Sequence, residues 1–295
     1  MNNTINFFCL GAQKAGTTSL HYLLSMHPDV FLPEIKETHF FSDGHGEYTK
    51  GLPFYFSRYF KEATPGSIKG EIDPEYMFFP EVPQRLHEAF PKAKLIFVLR
   101  DPVTRAYSHF LMSRRRGYER LDFEAAIDAE LQRLESGDIQ TRSDFSYVAR
   151  GYYFEQISRF LNYFPRNQML FLFSDDLKSQ PEEILKEVHA FLGLRQIAYE
   201  PIGDAEANQA AEPRIRFVQN LVSGNSLGRK IGGALLPNWL KGWIWDFIDK
   251  YNRRSINPRP LKPEVVAKLR QCYSHDILAL SDLVGRDLSH WGVAP

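Results

Sequence analysis

The stretch from Phe7 to Leu20 constrains the fold of this chain more than any other. The apolar run FFCL ends at Gly11, a loop AQKAGTTS follows, and an amphipathic segment begins near Ser19. This order is typical of a buried strand, an anion-binding loop and a helix N-terminus. Glycine lets backbone N–H groups approach an anion closely, and lysine adds a mobile positive charge. We therefore predict an anion site formed by Gln13, Lys14, Ala15, Gly16, Thr17, Thr18 and Ser19.

The loop departs from the nucleotide-triphosphate pattern G-x-x-x-x-G-K-[ST], in which the lysine follows the second glycine. Gly11 and Gly16 keep the glycine spacing, but the lysine lies earlier, at Lys14. The sequence therefore argues against a magnesium–triphosphate site. An ordinary glycine turn between a strand and a helix is the alternative, but it would not require the lysine and the hydroxyl residues.

Apolar runs alternate with amphipathic segments along the first two thirds of the chain. We predict strands at 5–10, 94–99 and 169–173, and helices at 19–26, 52–60, 82–90, 103–116, 123–135, 153–164, 181–192 and 263–283. The alternation predicts an α/β fold with a P-loop-like central parallel sheet flanked by helices on both faces. We expect a single domain over residues 1–295, with a helical, loop-rich part at about 203–262 that caps the substrate pocket.

Charge and cysteine content limit the partners and the compartment. The 36 basic residues balance the 36 acidic ones, so nothing draws the whole chain to nucleic acid. Two cysteines do not form a disulfide framework. The N-terminus lacks a secretion signal, and no apolar run reaches the length of about 18 residues that suggests a membrane span. We expect a cytoplasmic protein without a transmembrane segment, and the sequence leaves a homo-oligomer open.

A second candidate anion site follows the 94–99 strand, in the segment RDPVTRAYS. Arg100 lies at the strand end, and Ser108 lies three residues after Arg105 on the same face of the following helix. A guanidinium is a planar, permanently charged fork that suits phosphate. Ligands of parallel α/β sheets bind at the carboxyl ends of the strands, where Gly11 and Arg100 both lie. Two such sites suit an adenosine that carries charged groups at its 5′ and 3′ positions.

On these motifs the chain resembles the sulfotransferases that use 3′-phosphoadenosine-5′-phosphosulfate (PAPS). The loop GAQKAGTTS resembles the 5′-phosphosulfate loop of that family, and the strand followed by RDPVTRAYS resembles its 3′-phosphate motif. The segment KETHFF at 36–41 is similar to an element of the heparan-sulfate and bacterial branches. RGYYFEQI at 150–157, FSDDL at 173–177 and the closing stretch 283–291 are also similar to family segments. The resemblance covers most of residues 5–195.

The resemblance implies a transfer of a sulfuryl group from PAPS, with 3′,5′-bisphosphoadenosine (PAP) as the product and no metal. Lys14 would stabilise the leaving phosphate, Glu37 would be the general base, and His39 would assist it. In an extended segment, positions 37 and 39 point the same way, so both side chains could face one pocket. The expected donor-binding residues, besides the loop 13–19, are Arg100, Ser108, Tyr153, Arg214 and Arg216, with Tyr153 stacking on the adenine.

The acceptor is expected to be a hydroxyl, or an amine, of a small molecule or a sugar, as in natural-product or carbohydrate modification. Many carbohydrate sulfotransferases carry E-K-[ST]-P, but here Ile72 stands in the place of the lysine and Asp73 in that of the hydroxyl. A polyanionic glycan would lose a cationic contact. Two alternatives stay open: a P-loop kinase of a small metabolite, and a non-catalytic nucleotide-binding protein in which Glu37 and His39 point away from the Lys14 loop.

Overall fold

The computed structural model describes residues 4–198, 211–213, 253–255 and 260–292. The chain divides into two compact units. The first unit comprises 1–105, 148–204 and 267–295, and the second comprises 106–147 and 205–266. The single-domain organisation stays a prediction. Most of the expected cap at 203–262, including Trp239, Trp243 and Trp245, lies outside the described residues.

The first unit contains a five-stranded parallel sheet. Its strands are β1 (Phe7–Gly11), β2 (Val30–Phe31), β3 (Ile68–Ile72), β4 (Lys94–Leu99) and β5 (Met169–Phe173), in the spatial order β2-β3-β1-β4-β5. Every neighbouring pair is parallel. β1 therefore lies at the centre, and its carboxyl end opens beside those of β3 and β4. The predicted strands at 94–99 and 169–173 are confirmed, because continuous apolar runs bury both faces of a strand.

Helices flank this sheet, which confirms the predicted α/β class. Those of the first unit are α1 (Thr17–Ser25), α2 (Gly51–Tyr59), α3 (Val82–Ala89), α8 (Tyr153–Leu161), α9 (Ser174–Ser179) and α10 (Pro181–Leu192). α4 (Pro102–Arg115) begins in this unit and continues into the second, and α11 (Pro263–Val284) begins in the second and continues into the first. None of the helices in the described ranges has the length and apolarity that a bilayer crossing requires.

The strand β3 does not follow from the apolar pattern. It carries Lys69, Gly70 and Glu71 among its residues, so no continuous hydrophobic run marks it. A Cβ atom on Gly70 would lie 2.0 Å from the ring of Phe7, so the absence of a side chain lets that ring pack against the strand. The strand therefore forms because it pairs and packs with β1 and β2, and not because of its own residue composition.

The second unit holds three short helices, α5 (Phe123–Asp128), α6 (Glu130–Ser136) and α7 (Ile139–Phe145). The single helix expected at 123–135 is therefore two helices, with Ala129 at their junction. Within this unit Glu119 is buried and accepts from Arg133 at 2.6 Å and from the Tyr147 hydroxyl at 3.0 Å. A small antiparallel pair, Ala211–Pro213 with Arg253–Ser255, also belongs to it.

Candidate active site

The loop after β1 leads directly into the N-terminus of α1. Gly16 is the N-cap residue, with a left-handed φ of 108°, and no side chain caps the helix. The first turn carries no acidic residue. Since the first N–H groups of a helix have no intrahelical partner, those of this turn are available to an anion.

Glycine at the two ends of the loop is required by close packing. A Cβ on Gly11 would lie 2.9 Å from Cβ of Met77, and one on Gly16 would lie 3.2 Å from the side chain of Leu177. Both glycines also have positive φ. Gln13 and Ala15, between the two glycines, and Thr17, directly after the second, are buried. Lys14 and Ser19 are half-buried, and Thr18 is exposed. The residues present therefore fit an anionic donor group, with an uncapped helix start and a lysine beside it.

The loop is tied to the end of β4. Nη1 of Arg100 donates to the backbone carbonyl of Lys14 at 3.0 Å, and its Nε donates to Oγ1 of Thr104 at 3.2 Å. Lys14 itself has a left-handed φ of 71°, which is uncommon for a residue with a side chain. Burial lowers the pKa of Arg100, while the neighbouring Tyr153 and Asp175 oppose that effect. The two predicted anion motifs thus meet at one edge of the sheet.

The remaining predicted donor residues have different surroundings. Tyr153 is fully buried, and its hydroxyl donates to the backbone carbonyl of Arg100 at 2.8 Å. This contact fixes the end of β4; stacking of Tyr153 on adenine stays a prediction. Ser108 is half-buried on α4, in the second unit. Arg214 and Arg216 lie outside the described residues.

Lys36 connects the predicted base, Glu37, to the loop 13–19, which we call the donor loop. The sequence alone assigns Lys36 no role. Its Nζ donates to Oγ1 of Thr18 at 3.2 Å and also forms an ion pair with Oε1 of Glu37. Glu37 is half-buried. The carboxylate of Glu37 is therefore joined through one ammonium to the start of α1. The only signal in the sequence is the position of Lys36 directly before Glu37.

The expectation of an extended segment at 37–39 is wrong. Glu37 and His39 both adopt left-handed backbone conformations, with φ of 62° and 53°. His39 turns towards the end of β3, where Oδ2 of Asp73 lies 3.1 Å from its Nδ1. The alternation rule fails here because this segment turns instead of pairing with a strand. Glu37 and His39 nevertheless lie close enough for the Glu37 charge to act on His39.

A buried carboxylate fixes the residue between them. Glu71 on β3 accepts from Oγ1 of Thr38 at 2.5 Å and from the Tyr76 hydroxyl at 2.8 Å, and the Tyr55 hydroxyl also donates to it. Burial, with a smaller contribution from Asp73, raises the pKa of Glu71 to about 7, although the hydrogen bonds lower it. This network anchors the segment that carries Glu37 and His39 onto the sheet.

Within the part of the chain that the structure describes, no three His, Cys, Asp or Glu side chains gather in a way that could hold a metal ion. The groups that the structure brings together here are lysine, arginine and histidine side chains, the N–H groups at the start of α1, and carboxylates. Such a set can bind a doubly charged donor and remove a proton from an acceptor.

Comparisons with known proteins show the family of the chain. A family model described as the sulfotransferase domain matches residues 5–205. The chain is 30% identical over 285 residues to human heparan sulfate glucosamine 3-O-sulfotransferase 3B1, an alignment that covers 94% of this chain and 63% of the relative. It is 34% identical over 192 residues to the mouse protein of the same name, covering 64% of this chain and 46% of the relative. The chain thus spans less than two thirds of the length of these two relatives.

Among solved structures, the fold resembles that of a sulfotransferase from Alicyclobacillus acidocaldarius. The TM-score is 0.69 at 24% sequence identity, and the match covers 97% of this chain and 98% of the other. This similarity concerns the fold.

Proposed function

The chain belongs to the sulfotransferase family, and on that premise we propose that it transfers a sulfuryl group from PAPS to a hydroxyl or amine of a small molecule or sugar. One observation carries the proposal. Lys36 contacts Thr18 of the donor loop and Glu37 of the predicted acceptor site. A donor bound at the start of α1 would therefore have the proposed base beside it.

On the donor side, the N–H groups at the start of α1 and the hydroxyls of Thr17 and Thr18 would bind the 5′-phosphate. Lys14 would meet the negative charge that grows on the bridging oxygen. Arg100, held against the Lys14 carbonyl at 3.0 Å, would bind the 3′-phosphate. Since Arg100 contacts the loop itself, binding of the two phosphates would be coupled.

On the acceptor side, Glu37 would take the proton of the attacking hydroxyl. The acceptor O–H bond breaks, its oxygen forms a bond to sulfur, and the bond between sulfur and the phosphate oxygen breaks with its electron pair left on PAP. Sulfuryl transfer moves a singly charged group, so fixed cations can stabilise the developing charge. PAPS supplies the sulfuryl group, and the chain supplies orientation and the base.

The residues at the end of β3 favour an acceptor that is not a polyanion. Ile72 and Asp73, which stand where carbohydrate sulfotransferases carry a lysine and a hydroxyl, are both buried. Asp73 adds negative charge near His39 rather than a cation for a sulfated chain. A bacterial-type enzyme acting on a small molecule or a neutral sugar in the cytoplasm is our proposal. The two cysteines, Cys9 and Cys272, are both free, as in a reducing compartment.

Two measurements test the function. Transfer of labelled sulfate from PAPS is screened over sugars, phenols, alcohols and amines, and calorimetry compares PAP with magnesium–ATP. We expect transfer to at least one acceptor and tight binding of PAP without magnesium. Tight binding of magnesium–ATP with no heat from PAP would instead support a metabolite kinase. Binding of PAP with no transfer to any acceptor would support a non-catalytic nucleotide-binding protein.

A further inference from the structure

A two-point contact joins Asp73 to His39. Oδ2 of Asp73 accepts the backbone N–H of His39 at 2.7 Å and lies 3.1 Å from Nδ1 of the same residue. Asp73 is fully buried, whereas the side chain of His39 is 22% exposed. A single carboxylate therefore fixes both the backbone and the ring of a residue next to the proposed base.

The sheet in turn fixes Asp73. It follows the last residue of β3, and its backbone N–H donates to the carbonyl of Cys9 on β1 at 3.0 Å. Its Oδ1 accepts the backbone N–H of Glu75 at 3.1 Å. The Asp73 carboxylate is thus fixed at the end of β3. This strand lies next to β1, and the donor loop follows β1.

His39 depends on these contacts because its backbone is in a left-handed conformation, with a φ of 53°. Such a conformation is unfavourable for a residue with a side chain and persists only where the surroundings impose it. The carbonyl of His39 accepts from the Ser42 hydroxyl at 3.2 Å and from the Gly44 N–H at 3.1 Å. Asp73 is the partner on the N–H side.

Several charged or titratable groups surround the ring of His39. Asp73 and Glu75, at 3.1 and 3.6 Å from Nδ1, come from the end of β3. Glu37 acts from the same segment, and the ring of His45 lies 5.2 Å away between centroids. Arg150, itself 3.3 Å from Glu75, balances part of the negative charge. Burial disfavours the charged ring, but the carboxylates, Asp73 first, outweigh it and raise the pKa of His39 to about 9.

We infer that Asp73 is a positioning residue that holds His39 as an imidazolium. In the reaction, His39 then acts as a hydrogen-bond donor, and Glu37 acts as the general base. The inference rests on the proposed function. An imidazolium carries a proton on both ring nitrogens and has no acceptor site. His39 keeps its proton throughout, and the proton of the acceptor hydroxyl goes to Glu37. Nδ1 faces Oδ2 of Asp73 in an ion pair at 3.1 Å, which leaves Nε2–H to donate to an oxygen of the acceptor or of the transferred group.

The test uses Asp73→Asn in the full chain. Asparagine keeps the size and an oxygen that can accept the His39 backbone N–H, but it removes the negative charge. The readouts are the NMR titration of His39, assigned by comparison with His39→Asn, the pH profile of kcat/KM, and PAP affinity by calorimetry. The control is Glu71→Gln, which removes a buried carboxylate two residues earlier that contacts Thr38 and not His39.

In the wild type, His39 should titrate at about 9, and activity should fall as pH rises through that value because the donor proton is lost. Asp73→Asn should move the titration and the alkaline limb of kcat/KM to lower pH together. It should also reduce kcat by at least about tenfold, because His39 no longer carries the charge that strengthens its hydrogen bond to the reacting groups. PAP affinity should stay unchanged. Glu71→Gln should leave the His39 titration in place.

Two results would overturn the inference. One is an unchanged His39 titration and pH profile in Asp73→Asn. The other is a loss of activity that is accompanied by a comparable loss of PAP affinity and by a lower melting temperature. That result would make Asp73 a purely structural residue. If the wild type transfers no sulfuryl group at all, the proposed function fails, whereas the NMR titration still decides whether Asp73 holds the imidazolium.

Discussion

Nη1 of Arg100 donates a hydrogen bond of 3.0 Å to the backbone carbonyl of Lys14, although 86 residues separate them. Arg100 follows β4, and Lys14 lies in the loop after β1, the neighbouring parallel strand. The bond therefore joins the two anion motifs into one surface at the carboxyl edge of the sheet. It also holds the loop in the conformation that gives Lys14 its left-handed φ.

Arg100→Ala should weaken PAP binding by about 1.5–3 kcal/mol, or roughly 10- to 150-fold, because a hydrogen-bonded charge partner of a phosphate is lost. Calorimetry with PAP and with adenosine 5′-monophosphate, which lacks the 3′-phosphate, measures this. The loss should be larger for PAP than for adenosine 5′-monophosphate, because only PAP loses a direct phosphate contact, whereas both ligands lose the support that Arg100 gives to the loop. An equal loss for both ligands would mean that Arg100 acts only by holding the loop. The control is Arg58→Ala, an exposed arginine on α2.

Glu37→Gln should lower kcat by about 10²–10⁴-fold, the usual contribution of a general base, while PAP binds as before. The amide keeps the size of the side chain but cannot take the acceptor proton. Single-turnover transfer and PAP calorimetry test the two halves of the statement. Glu34→Gln, an exposed glutamate three residues earlier, is the matched control. Turnover near the wild-type rate would remove Glu37 from the mechanism.

Lys36→Met should reduce kcat by about tenfold or more, because the base loses its link to Thr18 and a small displacement of a catalytic group is costly. Lys36→Arg, which keeps the charge, should retain more activity than Lys36→Met. Lys50→Met is the control, since Lys50 also pairs with a neighbouring glutamate, at 3.0 Å, but on the exposed surface. Equal activity of Lys36→Met and wild type would show that the bridge has no role in catalysis.

Gly70→Ala should destabilise the first unit by about 1–3 kcal/mol or more, the usual cost of overpacking a core. The added Cβ would lie 2.0 Å from the ring of Phe7, which is fully buried. Denaturant unfolding measures the change. Adding Phe7→Leu to Gly70→Ala should recover part of the loss, because the smaller side chain leaves space for the methyl group. A double variant that is less stable than the sum of the two single variants would contradict this packing.

His189 should make the protein less stable in mild acid. Its side chain is fully buried, and its ring lies 4.8 Å from that of His27. Burial, followed by the charge of His27, lowers the pKa of His189 below its usual 6.5, although Gln196 opposes the shift. A histidine with a lowered folded-state pKa contributes full stability above about 6.5, and that stability is lost as pH falls through the folded-state value.

The measurement for His189 is urea unfolding at pH 7.5 and at pH 5.5 for the wild type and His189→Leu. Comparing the two proteins isolates this residue from other titrating groups. The free energy of unfolding of the wild type should fall more between the two pH values than that of His189→Leu. Equal falls would show that His189 does not contribute.

Local pattern was enough to predict β4, β5 and α10, because continuous apolar runs and a Pro–Gly boundary pair mark them in the sequence. It was not enough for β3. Its carboxylate at Glu71 is stable inside the sheet only because Thr38, Tyr55 and Tyr76 supply hydrogen bonds to it. Those partners lie between 5 and 33 residues away in the chain, so no local window contains all three.

The same limit applied to the site. Lys14, Glu37 and His39 were predicted from their motifs, but Lys36 and Asp73 were not given a role, because the roles we propose for them depend on which strand ends and loops become neighbours. The extended conformation expected at 37–39 also failed, since two left-handed residues redirect His39 towards Asp73.

By itself, the sequence was enough to recognise the family and the α/β class and to predict an anion-binding loop, because the apolar runs, the glycine spacing and the lysine and hydroxyl residues of the loop involve only adjacent residues. The tertiary structure decided which groups act together. In it, Arg100 donates to the backbone of Lys14, and Asp73 accepts from the backbone of His39. Lys36 contacts both Thr18 and Glu37. The strand order β3-β1-β4 brings three separate strand ends to one edge of the sheet, and the contacts of His39 with Asp73 and of Thr38 with Glu71 hold the segment 36–39 against that edge.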